Sequence, residues 1–160
     1  MKATRHNGRS GKHGTCDAEH NDRRFDVENS EHIDAERTKM NVYWDCYQGY
    51  SLPNDKDERA RFTFTEIEKA YYVEKYSDHV DSQNERNRKA RHYDRVKTID
   101  AILENNKTCP EETLLQLGNM DRAVSADVLA KVSAEYFEEF NRRYGSHVHI
   151  LDWALHLDEA

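Results

Sequence analysis

The sequence predicts an α+β fold in which an antiparallel sheet carries helices packed on one face, with the middle of the chain rich in helix. The first observation is a stripe of apolar side chains at helical spacing between residues 125 and 145. The second is a change to a period of two directly afterwards, in Leu151, Trp153, Leu155 and Leu157. This face is expected to pack on the helices, and the face with Asp152, His156 and Asp158 is expected to be open.

The chain of 160 residues fits one domain, 1–160, built from four segments. Residues 1–40 contain several glycines and few large apolar residues, which predicts a loop-rich arm. Residues 41–50 begin with the β-formers of "NVYWDCY" and predict a short strand or turn. A helical region at 65–144 and a strand at 147–159 complete the prediction.

Helix signals divide the predicted helical region. Thr65 is expected to cap the first helix, and Pro110 in "CPEETLL" is expected to begin a short one. Ser125 and Gly145 bracket the last helix. Its stripe is predicted to be core and consists of Leu129, Val132, Tyr136, Phe140 and Tyr144.

Composition indicates an aqueous environment. Hydrophobic residues make up 36% of the chain and charged residues 34%, and no apolar run approaches the roughly 20 residues of a membrane span. The three cysteines are odd in number and show no CxxC spacing, so they are interpreted as reduced thiols in a cytoplasmic protein. These cysteines are Cys16, Cys46 and Cys109.

Charge is distributed unevenly along the chain, whose net charge is -7. Residues 1–24 hold six basic side chains against three acidic ones, and residues 82–97 hold six against two. Two interpretations stay open for 82–97. In the first interpretation this segment contacts the phosphate backbone of a nucleic acid. In the second it is a solvated helix face with internal ion pairs.

Three short stretches occur in order: "RHNGR" near the start, "NSEHIDAERTKMNVYW" after it, and "HLDEA" at the end. They resemble the motifs HNxR, NxDIDxxRxxxNY and HxDExxPHxH of the Mob/Pre plasmid mobilisation relaxases, a branch of the HUH-type endonucleases. The matching residues are His6, Asn7 and Arg9; Asn29, Ile33, Asp34, Arg37, Asn41 and Tyr43; and His156, Asp158 and Glu159. The second motif departs at His32, where the family has an acid, and at Val42, which precedes the tyrosine. The third ends before its proline and last two histidines, so we expect an N-terminal fragment of a relaxase catalytic domain.

The resemblance implies metal-dependent nicking and strand transfer of single-stranded DNA at a plasmid origin of transfer, through a covalent histidine–DNA intermediate. His6 would be the nucleophile, with Arg9 and Glu159 completing the catalytic set. His156 would be the first ligand of a divalent metal, Mn or Mg. The expected DNA contacts are Asn7, Arg37 and Asn41, and the expected structural residues are Asp34 and Asp158. Because only part of the metal cluster is present, the chain by itself is expected to be inactive.

Several alternatives stay open. Related endonucleases use tyrosine, so Tyr43, Tyr47 and Tyr50 are rival nucleophiles. Asp34 and Arg37 could form an ordinary ion pair on a short helix instead of a DNA-binding pair. A non-catalytic helical interaction module, or a decayed relaxase remnant that binds a partner protein, is the alternative function. Self-association into a homo-oligomer is compatible with either.

Overall fold

A computed structural model describes residues 3–9, 17–51, 62–117 and 124–158. Its architecture is α+β, as predicted, with two small antiparallel sheets and a long helix. None of its described helices combines the length and apolar character needed to cross a membrane.

The first sheet pairs a strand of the predicted arm with a strand that lies within the predicted helical region. Strand β1 (Ala3–Arg9) runs antiparallel to β4 (Glu111–Leu117), with His6 opposite Leu114. Two predictions are therefore wrong in part. The arm contains a strand, and the segment after Pro110 is a strand where a helix was expected. Backbone pairing between distant segments outweighs the helix-like local pattern of "CPEETLL".

The second sheet has the strand order β3-β2-β5. Strand β2 (Val42–Asp45) pairs with β3 (Gly49–Ser51) and with β5 (Asp152–Leu155), all antiparallel. The strand predicted within 41–50 is confirmed. Strand β5 is shorter than the predicted 147–159, because its pairing with β2 extends over four residue pairs only.

The described residues form four α-helices: α1 (Ala18–Asn21), α2 (Phe64–Lys89), α3 (Ile99–Leu103) and α4 (Ala126–Tyr144). Two 3₁₀ helices lie at Arg37–Met40 and Tyr93–Arg95. The start of α2 is capped by Thr63, not Thr65. Its Oγ1 accepts from the amide of Glu66 at 3.1 Å, and its own amide donates to the Glu66 carboxylate at 2.8 Å. This reciprocal capping box fixes where the helix begins.

Most of the buried apolar side chains are on α2, β2 and β5, and α4 has no buried residue in the described structure. Trp153 of β5 is buried, stacks on Phe137 of α4 at 4.9 Å between ring centroids, and meets Tyr50 edge-on at 5.7 Å. Tyr43 of β2 meets Phe64 of α2 edge-on at 6.3 Å. Aromatic contacts of this kind join the helices to the sheet.

Two core predictions need correction. The α4 stripe was predicted to be core, but Val132, Tyr136 and Tyr144 are exposed. Phe137, next to Tyr136 in the sequence and outside the stripe, contacts Trp153 of the sheet. The face expected to be open is closed at Asp158, which is 2% exposed. Hydrogen bonds from other segments cover that carboxylate, which allows a charged group to be buried.

Candidate functional site

Asp158 is the centre of a buried polar network. Arg23 binds its carboxylate with two hydrogen bonds, from Nε to Oδ2 at 3.0 Å and from Nη2 to Oδ1 at 2.9 Å. Arg23 follows α1, has a left-handed backbone with φ 59°, and donates from Nη1 to the carbonyl of His20 at 2.8 Å. This fork-to-carboxylate geometry is the strongest form of ion pair available to a protein.

Residues of the second motif complete the network. Thr38 Oγ1 donates to Asp158 Oδ2 at 3.0 Å, and Asn41 Nδ2 donates to the same oxygen at 2.8 Å. Asn41 Oδ1 accepts from the amide of Leu157 at 2.8 Å, and the amide of Asp34 donates to the Asp158 carbonyl at 2.9 Å. The second and third motifs are therefore joined by both side chains and backbone.

The assignment of Asn41 as a DNA contact needs correction, because its side chain is fully buried and holds the chain at Leu157 and Asp158. Asp158, expected to be structural, is buried and bound by Arg23, Thr38 and Asn41. Burial acts to raise the pKa of its carboxyl, but the hydrogen bonds from Arg23 and Asn41 hold the pKa well below its usual range. A permanently ionised carboxylate of this kind stabilises the fold and does not exchange protons near neutral pH.

Asp34 and Arg37 do not form the expected side-chain pair. Asp34 Oδ1 accepts from the backbone amides of Glu36 at 3.0 Å and Arg37 at 3.3 Å, which closes the turn before the 3₁₀ helix Arg37–Met40. The Arg37 side chain is exposed, and its guanidinium makes no hydrogen bond or ion pair within the described part of the chain. It is free to contact a phosphate.

His156 lies between β5 and Asp158 and is partly buried. Its Nε2 is 2.7 Å from the carbonyl oxygen of Asn21, and its ring meets His20 edge-on at 6.4 Å. Because a carbonyl only accepts, Nε2 carries a proton in this contact. Metal-binding histidines are oriented by the same N–H to carbonyl contact.

A metal ion held at His156 would need further protein ligands. Across 3–9, 17–51, 62–117 and 124–158, no group of three or more His, Cys, Asp or Glu residues is arranged to hold a metal ion. Glu159, the other third-motif residue expected in the site, lies outside the described residues.

The first motif is located on β1. His6 is exposed opposite Leu114, and Arg9 ends the strand. Asn7 donates to Glu111 Oε1 at 3.0 Å and accepts from Thr113 Oγ1 at 3.2 Å, so its amide is used in cross-strand contacts where a DNA contact was expected. His6 belongs to the first sheet and His156 follows the second, and within the described residues no hydrogen bond or ring contact joins them.

The rival tyrosine nucleophiles are in different environments. Tyr43 is 3% exposed and its hydroxyl accepts from Asn41 at 3.3 Å, so a phosphate cannot reach it. Tyr47 is exposed and donates to Glu74 at 2.9 Å; loss of solvent and this hydrogen bond raise the pKa of its hydroxyl to about 12, which disfavours the phenolate. Tyr50 is exposed and packs against Trp153.

A group of carboxylates beside the second sheet was not predicted. Asp152 is directly opposite Asp45 in the β5–β2 pairing, and its Oδ2 is shielded from solvent without a hydrogen bond in the described structure. Burial, and then the neighbouring charge of Glu68, raise the pKa of Asp152 well above its ordinary value. Burial and the charge of Glu112 raise the pKa of Glu68 to about 7. No sequence motif indicates this group of carboxylates, because its members are far apart in the chain.

Comparison with known proteins found no match among family models, curated proteins or solved structures. The functional assignment therefore depends on the motif residues and on the contacts between them.

Proposed function

We propose that this chain is the N-terminal part of the catalytic domain of a plasmid mobilisation relaxase of the Mob/Pre type. The observation that carries the proposal is the joining of the second and third motifs. Asn41, Thr38 and the Asp34 amide all bind Asp158. Three residues that the resemblance selects by sequence alone, Asp34, Asn41 and Asp158, therefore meet in one network, which supports a common origin with that family.

The proposed reaction transfers a phosphodiester from DNA to protein. A ring nitrogen of His6 attacks the phosphorus of the scissile phosphate, a P–N bond forms, and the P–O bond to the 3′ oxygen breaks. The 3′ oxygen leaves as a hydroxyl after taking the imidazole proton. The 5′ phosphate stays attached to His6 as a phosphoramidate, so a later attack by a 3′ hydroxyl rejoins the strand.

Other residues bind and orient the DNA in this proposal. Exposed Arg37 contacts a backbone phosphate, and Arg9, as the resemblance implies, would contact another. His156 would be one ligand of a divalent metal, Mn or Mg, and Glu159 would complete the catalytic set. When bound, that ion neutralises charge on the scissile phosphate. The network around Asp158 fixes the chain on which His156 is located.

The covalent intermediate provides the test of this proposal. The full-length gene product is incubated with Mn²⁺ and with 3′-labelled single-stranded oligonucleotides that tile the DNA around its gene. A denaturing gel then reports the labelled protein. We expect an adduct with the natural protein and none with His6→Ala, because without the imidazole the P–N bond cannot form.

His79→Ala is the matched control, since His79 is an exposed histidine on α2 outside the motifs. It should form the adduct normally. An undiminished adduct in His6→Ala would refute the assignment of the nucleophile. Loss of the adduct only in Tyr47→Phe or Tyr50→Phe would transfer the role to that tyrosine.

Metal binding gives a separate prediction for His156. In the full-length gene product, His156→Ala should weaken Mn²⁺ binding about tenfold or more in a calorimetric titration, because it removes a directly coordinating nitrogen. His79→Ala should leave the affinity unchanged. Equal affinities in the two variants would remove His156 from the metal site.

One observation favours the second candidate, a non-catalytic interaction module. Helix α4 exposes an apolar row at helical spacing, made of Val128, Val132, Tyr136 and Tyr144. Such a row suits a protein partner or a second copy of the chain. Absence of any adduct in the natural protein, together with binding of a partner through α4, would favour this candidate.

A further inference from the structure

A basic surface is located at the C-terminal end of α2 and in the turn that follows it. We call residues 84–97 the α2 tip. All six of its cationic side chains are exposed, against two acidic ones, Glu85 and Asp94. The cations are Arg86, Arg88, Lys89, Arg91, Arg95 and Lys97.

Two of the six cationic side chains bind other groups of the protein in the described structure. Lys89 pairs with Glu85 at 2.6 Å, and Arg86 Nε donates to the Ser82 carbonyl at 3.3 Å. The charged groups of the other four make no hydrogen bond or ion pair with the part of the chain that the structure describes; they are Arg88, Arg91, Arg95 and Lys97. A solvated helix face with paired charges therefore does not account for the α2 tip.

The turn is held firmly against the helix. Asn84 is buried, and its amide makes two hydrogen bonds with Lys97, from Nδ2 to the carbonyl at 2.7 Å and from the backbone amide to Oδ1 at 2.9 Å. Asn87 Nδ2 donates to the Arg95 carbonyl at 3.1 Å. The cations of the turn thus have a fixed backbone, which reduces the entropy lost when a ligand is bound.

Arg91 occupies a position that ordinarily favours glycine. It follows the last residues of α2 with a left-handed backbone, φ 59°, and the amide of His92 closes the helix end on the Asn87 carbonyl at 2.8 Å. An L side chain there is conformationally unfavourable. The arginine therefore contributes its charge at a cost in stability.

An aromatic ring stands among these charges. Tyr93, in the 3₁₀ helix Tyr93–Arg95, is 68% exposed, and its ring stacks on no other ring in the described structure. Exposed aromatic rings interleaved with cations are typical of surfaces that bind single-stranded nucleic acid, because the rings stack on unpaired bases while the cations contact phosphates. Bases in a duplex are already stacked and do not offer their faces.

We propose that the α2 tip binds single-stranded DNA, with Arg88, Arg91, Arg95 and Lys97 on the phosphates and Tyr93 stacked on a base. The identity of the nucleic acid as DNA rests on the proposed relaxase function. The 26 residues of α2 make it about 39 Å long. Its other end begins beside Asp22, whose Oδ2 accepts from the amide of Phe64 at 2.9 Å. The α2 tip is thus a second DNA contact, far along α2 from the motif network.

The first test is the affinity of the chain for a labelled single-stranded oligonucleotide of mixed sequence, measured by fluorescence anisotropy at several salt concentrations. A variant with Arg88→Ala, Arg91→Gly and Arg95→Ala should bind at least tenfold more weakly. It should also show a shallower fall of affinity with salt, because fewer counterions are released. The matched control is Arg142→Ala with Arg143→Ala, at the end of α4, where both arginines bind Glu139. Its affinity should stay close to that of the natural chain.

Two single variants exclude misfolding as the cause. Arg91→Gly alone should bind more weakly yet raise the urea midpoint of unfolding, because glycine accepts the left-handed backbone. Tyr93→Ser should weaken binding about fivefold or more, whereas Tyr93→Phe keeps the ring and should bind normally. Unchanged affinity in the triple variant, or equal loss in Tyr93→Phe and Tyr93→Ser, would overturn the proposal.

A duplex of the same sequence separates the two forms of DNA. Tighter binding to the duplex than to the single strand would overturn the assignment to single-stranded DNA. The proposed function fails separately: an adduct that persists in His6→Ala refutes the nucleophile without affecting the α2 tip. Weak binding by the triple variant with normal affinity in His6→Ala supports the α2 tip whatever the outcome of the covalent assay.

Discussion

Replacing Asp158 with asparagine is expected to lower the free energy of unfolding by about 3–5 kcal/mol. The Asp158 side chain is fully buried and the Arg23 side chain is 3% exposed, so the substitution leaves the Arg23 charge enclosed without its counter-ion. Asparagine has nearly the same shape as aspartate. The decrease in the free energy of unfolding therefore reflects lost charge and hydrogen bonding, and not lost packing. Urea denaturation followed by circular dichroism measures it.

Asp100→Asn is the matched control, because Asp100 pairs with Lys69 at 2.8 Å on the surface and both side chains are more than half exposed. Exposed pairs contribute at most about 1 kcal/mol. Equal destabilisation in the two variants would contradict the structural role of Asp158. If Asp158→Asn does not fold, Arg23→Met combined with Asp158→Leu should recover a folded protein, since removing both charges avoids the unpaired one.

The same network shows what the sequence could predict. The resemblance selected Asp34, Asn41 and Asp158, and all three take part in it. Their roles were partly misassigned, because a motif specifies a residue type without saying whether its side chain faces solvent. Arg23 belongs to no motif, and only the fold shows that it follows α1 next to Asp158.

Elements with local signals were the predictable ones. Ser125 and Gly145 bracket α4 as predicted, and the β-formers of β2 form a strand. The pairing of β1 with β4 was not predictable. Asn7 and Glu111 are 104 residues apart, and neither strand shows the alternation that one buried face would impose. The group of carboxylates around Asp152 was not predictable either, because its members are also far apart in the chain.

That group makes stability depend on pH between the ordinary pKa of a carboxyl and about 7. Asp152 and Glu68 have raised pKa values, the latter to about 7, and Asp45, Asp22 and Glu112 are the charges around them. A carboxyl with a raised pKa binds protons in the folded chain at pH values where the unfolded chain has lost them. Stability should therefore fall as pH rises from about 4 through 7. Each group that is forced to ionise in the folded chain lowers the free energy of unfolding.

The prediction is that Glu68→Gln combined with Asp152→Asn raises the free energy of unfolding at pH 8 and flattens its decline between pH 5 and pH 8. The amides remove the charges of these partly buried groups and, for Asp152, the repulsion from Asp45 directly across the strand pair. Urea titrations at pH 5, 6, 7 and 8 measure the slope. Asp78→Asn, at an exposed carboxylate on α2, should leave the slope unchanged. The same slope in the double variant and in the natural chain would show that Asp152 and Glu68 are already ionised in the folded protein at neutral pH.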